Sequence, residues 1–148
     1  MSAPQEIAPV DILLVEDNPG DVRLTERAFE EAKLANDIHA VTDGVEAMRF
    51  LRCEGEYADA ARPDIVLLDL DLPKKSGEAV LEDVKSDPEL REIPVVVLSS
   101  SDAEADVEET YDRHANAYLT KPVDFDGFVD IVRKIDAFWF SVVTYPPE

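Results

Sequence analysis

Four short apolar runs in this chain each stop at a charged or hydroxyl residue, and the stops form a chemical set. Ile12-Leu13-Leu14-Val15 stops at Glu16-Asp17, Ile65-Val66-Leu67-Leu68 at Asp69, and Val95-Val96-Val97-Leu98 at Ser99. Ala117-Tyr118-Leu119 runs through Thr120 to Lys121. Continuous apolar runs of this length, separated by helix-like stretches, read as strands buried on both faces of a parallel sheet. Right-handed crossovers then put helices on both sides, a doubly wound α/β arrangement. In such sheets the ligand site lies outside the carboxyl ends of the strands, so the four stops are expected to converge. Three carboxylates, a hydroxyl and an ammonium in one crevice suit a divalent cation and a phosphoryl group.

The expected order is five strands and five helices. Strands are expected at Asp11 to Glu16, Ile38 to Val41, Asp64 to Asp69, Val95 to Ser99 and Asn116 to Thr120. Asn18-Pro19-Gly20-Asp21 is a capping turn that opens a helix through about Lys33, with Val22, Ala28, Phe29 and Ala32 on one face. Asp43 can cap a second helix containing Val45, Met48 and Leu51. A third helix carries Val80, Leu81 and Val84 and stops near Asp87-Pro88. Ser100 to Arg113 read as a very acidic, weakly held helix. The last helix, about Asp124 to Phe140, is expected to bury Phe128, Ile131, Val132, Ile135 and Trp139, spaced by three and four.

A chain of 148 residues, 45% hydrophobic, makes one packed domain and not two of ordinary size. That domain is expected over 10–140, after a disordered lead-in at 1–9 that carries Pro4 and Pro9, and before an extension at 141–148. Net charge is −20, with 34 acidic residues against 14 basic ones spread along the whole length. Such a surface repels nucleic-acid phosphates and anionic membranes, so neither is expected as a partner. Its self-repulsion is better screened in concentrated salt, which points to a halophilic setting. The single cysteine, Cys53, allows no intramolecular disulfide or cysteine cluster and is expected to be a small buried apolar residue. No run approaches a membrane span and the N-terminus has no signal-peptide core, so a cytoplasmic location is expected.

At the strand ends, Asp69 is the nucleophile candidate, because a carboxylate accepts a phosphoryl group when a cation neutralises both partners. Glu16 and Asp17 supply a site for Mg²⁺, which keeps several waters and needs only one or two carboxylates beside a carbonyl and a phosphate. Lys121 is placed to pair with Asp69 first and with a phosphoryl oxygen later, and Ser99 to donate to another. The alternative is that these residues merely cap strand ends.

In order and over nearly the whole chain, ILLVEDNP, IVLLDLDLPKKSG, VVVLSSS and AYLTKP resemble the receiver domain of two-component response regulators. Asp69 to Ser99 is 30 residues and Ser99 to Lys121 another 22, as in that family. DNPGD, DGVEAMRFLR, DLPKKSG and FWFSVVTYPP look most like its stand-alone members associated with phytochrome-type histidine kinases. The resemblance implies a flavodoxin-like (βα)5 fold with strand order 2-1-3-4-5. It also implies that Asp69 takes a phosphoryl group from a kinase histidine, with Mg²⁺ held by Asp17, Asp69 and the backbone carbonyl of Asp71, and by Glu16 through water. Ser99 and Tyr118 would be the switch pair, the Lys121-Pro122 bond would be cis, and Asp71 and Ser101 would flank the water that hydrolyses the phosphoryl group. The Glu-Asp pair and the serine at 99 depart from the commoner Asp-Asp and threonine.

The expected function is therefore a single-domain response regulator that catalyses only its own phosphorylation and dephosphorylation. Three alternatives share parts of the pattern. Asp69-Leu70-Asp71 resembles the DxD of haloacid-dehalogenase-type phosphatases, but there DxD closes the first strand and the metal acids come late. A flavodoxin-like electron carrier would meet repulsion between its phosphate and Glu16-Asp17. A receiver-shaped scaffold working without phosphorylation would not need the whole acceptor set. Only a short segment follows the last helix, so no attached effector is expected and the signal would leave through a surface. Phe138, Trp139 and Phe140 cannot all enter one core, which suggests a homodimer or partner face there, extending over Val142, Val143 and Tyr145.

Overall fold

The computed structural model describes residues 10–32, 36–70, 72–99, 117–121 and 124–143. Strands β1 (Val10–Val15), β2 (Asn36–Val41), β3 (Ile65–Leu68), β4 (Val95–Ser99) and β5 (Ala117–Thr120) form one sheet in the order β2-β1-β3-β4-β5. Every neighbouring pair is parallel. The expected doubly wound, flavodoxin-like arrangement is the observed one.

Alternation along the strands divides the core in two. Leu13, Val15, Val66, Leu68, Val95 and Val97 face one side, where they pack with residues of α2 (Gly44–Leu51) and α3 (Gly77–Ser86). Ile12, Leu14, Ile65, Leu67, Val96 and Leu98 face the other, against α1 (Pro19–Glu31) and α4 (Phe125–Val143). Both faces of β1, β3 and β4 are thus dry, which is why these strands read as unbroken apolar runs. Edge strand β5 differs, for Tyr118 and Leu119 are only half-buried.

The helix signals act as their chemistry requires. Asn18 Oδ1 accepts from the backbone N–H groups of Gly20 and Asp21, Asp43 from Glu46, and Ser76 from Ala79. Ala28 and Phe29 of α1 are buried, as are Phe128, Ile131, Val132 and Ile135 of α4, with Arg27 stacked over the Phe125 ring at 5.8 Å. The side chain of Trp139 lies outside the described residues, and α4 continues past Phe140 to Val143.

The second helix contains Val45, Met48 and Leu51 as expected; Val45 is 43% exposed, because the inward face of α2 is made by Gly44, Ala47, Met48, Phe50 and Leu51. One expectation needs correcting. Cys53 is exposed, not buried. It stands just past α2 with φ of 54°, where its N–H donates to the Phe50 carbonyl and that of Glu54 to the Arg49 carbonyl. This pair of bonds ends a helix by turning the chain left-handed, which points the Cys53 side chain away from the core.

The acidic helix expected at Ser100 to Arg113, the lead-in at 1–9 and the tail from 144 onward fall outside the described residues. Strand β2 starts at Asn36, two residues before the apolar Ile38, because its polar first residues still pair with Val10 and Asp11.

Candidate functional site

Register brings the strand ends together. Val15 lies opposite Leu68, and Leu68 opposite Val97, so the residues that follow, Glu16 and Asp69, emerge side by side. Backbone bonds extend the ladder into the site: Glu16 N–H donates to the Val41 carbonyl and Asp69 N–H to that of Val15. Both carboxylates are consequently fixed at the base and almost fully buried, with Glu16 3% and Asp69 6% exposed.

Gly77 holds the other side of Asp69. A Cβ built at Gly77 would stand 2.3 Å from the Asp69 carbonyl oxygen, so α3 can begin against the end of β3 only with glycine there. Its N–H also donates to the Leu70 carbonyl. The loop between them packs on the start of α2, where Lys74, at φ of 66°, reaches Asp43 Oδ2 at 3.5 Å. Lys75 pairs with Asp83 of α3.

Lys121 crosses the site from the far edge of the sheet. Its Nζ lies 2.5 Å from Glu16 Oε1, 2.9 Å from Asp69 Oδ2 and 2.9 Å from Asp21 Oδ2. An ammonium has three N–H donors, and all three are matched by carboxylates. Burial by itself would lower the pKa of Lys121, but the hydrogen bonds to Glu16, Asp69 and Asp21 outweigh it and hold it above the ordinary lysine value. Burial pushes the Glu16 carboxyl up to about 7, with the Asp69 carboxylate adding to the rise and Lys121 opposing it.

Glu16, Asp17 and Asp69 each offer an oxygen within 4.8 Å of the others, with Asp17 exposed and the other two buried. Close like charges of this kind suit a hard divalent cation with oxygen ligands, so the donor set fits Mg²⁺ chemistry. Asp71, expected to add a backbone carbonyl, lies outside the described residues, as do Ser101, the Ser99 side chain and Pro122 with its peptide bond. The end of β4 does place Ser99 beside Thr120, one residue before Lys121. Tyr118 is half-buried against the core on the α2 and α3 side.

The strand-end reading therefore brings Glu16, Asp17, Asp69 and Lys121 together. It missed Asp21. Its sequence context marks it as part of a capping turn, yet the first turn of α1 begins directly after Glu16 and Asp17 and so lies over the same crevice. A carboxylate one turn into the helix that follows a site strand was the available signal.

Known proteins agree with this arrangement. Residues 12–133 match the response regulator receiver domain. The chain is 43% identical to response regulator Rcp1 of a Synechocystis strain over 138 residues, 93% of this chain and 94% of Rcp1. A crystal structure of the phosphorylated cyanobacterial phytochrome response regulator RcpA superposes with a TM-score of 0.86 at 49% identity, covering 95% of this chain and all of that one. The Mn²⁺-bound form of Rcp1 gives a TM-score of 0.84 at 42% identity, covering 94% of this chain and 100% of Rcp1. With the sheet order, the buried acceptor-like carboxylate, the acidic group and the bridging lysine all in place, this chain belongs to the response regulator receiver domain family.

Proposed function

We propose that this chain is a single-domain response regulator whose Asp69 accepts a phosphoryl group from the histidine of a sensor kinase, of the phytochrome-associated type. The observation that carries the proposal is the Lys121 ammonium 2.9 Å from Asp69 Oδ2, inside a carboxylate group tight enough for one cation.

The transfer forms an O–P bond on an Asp69 carboxylate oxygen as the N–P bond to the kinase imidazole breaks, and the imidazole keeps the electron pair. Mg²⁺ bound by Asp17, Asp69, the Asp71 carbonyl and, through water, Glu16 would neutralise the approaching anions. Lys121 then exchanges its bond to Asp69 for one to a phosphoryl oxygen, which its compact charge permits. Ser99 donates to a second oxygen, and Tyr118 turns inward behind it as the readout of phosphorylation. On this reading the protein performs no chemistry on other substrates.

Burial supports the nucleophile assignment, because a dry carboxylate held beside a cation site loses no water shell when the donor arrives. The proposed output surface is the end of α4, with self-association or a partner protein as its use. Incubation with a phosphorylated histidine kinase tests the function. The expected result is transfer of label to the wild-type chain and none to Asp69→Asn; label retained by that variant refutes the assignment.

A further inference from the structure

Among the described residues, Asp21 is the one carboxylate paired with Lys121 that the acceptor and cation roles leave unused. Its Oδ2 is 2.9 Å from Lys121 Nζ, 100 residues away in sequence. It stands outside the group of Glu16, Asp17 and Asp69 whose oxygens are close enough to share an ion. Its backbone is fixed from both sides, since its N–H donates to Asn18 Oδ1 at 3.2 Å and its carbonyl accepts from Thr25 Oγ1 at 2.8 Å. Thr25 is itself buried. Asp21 is thus anchored by the start of α1, independently of the strand ends.

The other two partners of the lysine change during phosphorylation. When an Asp69 oxygen becomes bonded to phosphorus, that carboxylate turns into a weakly accepting ester-like group. Glu16 belongs to the group that would hold the cation, and its carboxylate would turn from the lysine toward that cation once it is bound. Asp21 is the partner that neither event consumes.

We infer that Asp21 is a positioning residue, which keeps the Lys121 ammonium over the acceptor while the bonds to Asp69 and Glu16 are being exchanged for the phosphoryl group. This rests on the proposed role of Asp69 and goes beyond it, since an acceptor and its lysine do not by themselves require a further acid. A lysine stem carries several rotatable bonds and crosses from the edge strand β5 toward β1, so an anchor at its tip limits the orientations lost on reaction.

The test is the initial rate at which intact protein gains a phosphoryl group from acetyl phosphate and Mg²⁺, where the new O–P bond forms as acetate leaves with its electron pair. Asp21→Asn is expected to slow the gain about tenfold, a loss below that of a fully misplaced group because the phosphoryl itself still attracts the lysine. Asp21→Glu recovers most of the rate. In a Lys121→Ala background, Asp21→Asn changes the rate less than about twofold, the signature of two residues that act as a unit. Mg²⁺ titrations and thermal melts follow whether the variants keep the cation site and the fold.

A rate for Asp21→Asn equal to or above that of the parent overturns the inference, because it makes the carboxylate a bystander or a repulsive charge. An equal slowing with and without Lys121, or a matching loss of Mg²⁺ affinity, overturns it as well. Should the unaltered chain gain no phosphoryl group, the role of Asp69 fails first and is recognised as a separate failure.

Discussion

Lys121 Nζ donates to Asp69 Oδ2 at 2.9 Å across 52 residues of sequence, from the edge strand β5 to the end of β3 two strands in. The contact makes the lysine an internal counter-ion for buried carboxylates. Two like charges 4 Å apart repel by about 4 kcal/mol at an effective dielectric of 20, so the group is tolerable only with a cation inside it. The same shortage of positive charge that holds the lysine here leaves a place for a metal ion.

Glu16 should make the metal-free protein less stable as pH rises through weak acidity. Its folded-state value of about 7 lies above the ordinary 4.5, so its contribution is fully present below pH 4.5 and is lost as pH climbs to about 7. Between those values the unfolded chain releases a proton that the folded one retains. Melting temperatures of the wild type and Glu16→Gln, compared without metal from pH 4.5 to 8, isolate the contribution of this carboxyl. The wild type is expected to fall relative to the variant, and a gap that stays constant contradicts the assignment.

Gly77→Ala should disturb the acceptor without touching its side chain. The added methyl would meet the Asp69 carbonyl oxygen at 2.3 Å and Leu70 Cα at 2.6 Å, and backbone atoms cannot rotate away. A stability loss of about 1–3 kcal/mol is expected, the usual cost of overpacking. Urea unfolding reads it, together with slower phosphoryl uptake; unchanged values on both measures would show that the helix start can shift freely.

The parts legible in the sequence were those fixed by burial on both faces. Ile65 to Leu68 had to be a strand because four consecutive apolar residues match no exposed helix or loop, and the residue after them had to appear at the sheet edge. Partly solvated elements were less legible. Asn36 and Asp37 carry no strand signature, and their pairing with Val10 and Asp11 is set by the neighbouring strand. The apolar character of Cys53 points to burial, but the residue lies beyond the helix whose face would have buried it. Asp21 is legible only by its place in the first turn of the helix that follows a site strand; the direction in which α1 leaves β1 then brings it to Lys121.

Cys53→Gly should stabilise the protein. A side chain at φ of 54° costs roughly 1–2 kcal/mol, which glycine relieves while retaining the backbone bonds that end α2. Glycine's larger unfolded-state freedom offsets part of this, and so does loss of the weak Sγ contact to the Ala60 carbonyl at 3.7 Å. A net gain of about 0.5–1 kcal/mol is expected by urea unfolding. A loss would mean that the thiol contributes more than the backbone geometry indicates.

Salt should raise the melting temperature. At a net charge of −20, repulsion acts over about 8 Å at physiological ionic strength and about 3 Å at 1 M. Melts in low and molar KCl are expected to differ in favour of high salt. No rise, or a fall, would remove the halophilic reading of the surface.

Intact-mass measurement after incubation with acetyl phosphate tests the central claim most directly. The account predicts a gain of one phosphoryl group that requires Mg²⁺, is absent in Asp69→Asn and is slowed in Lys121→Ala. A gain that persists in Asp69→Asn, or no gain in the wild type with the cation present, would contradict it.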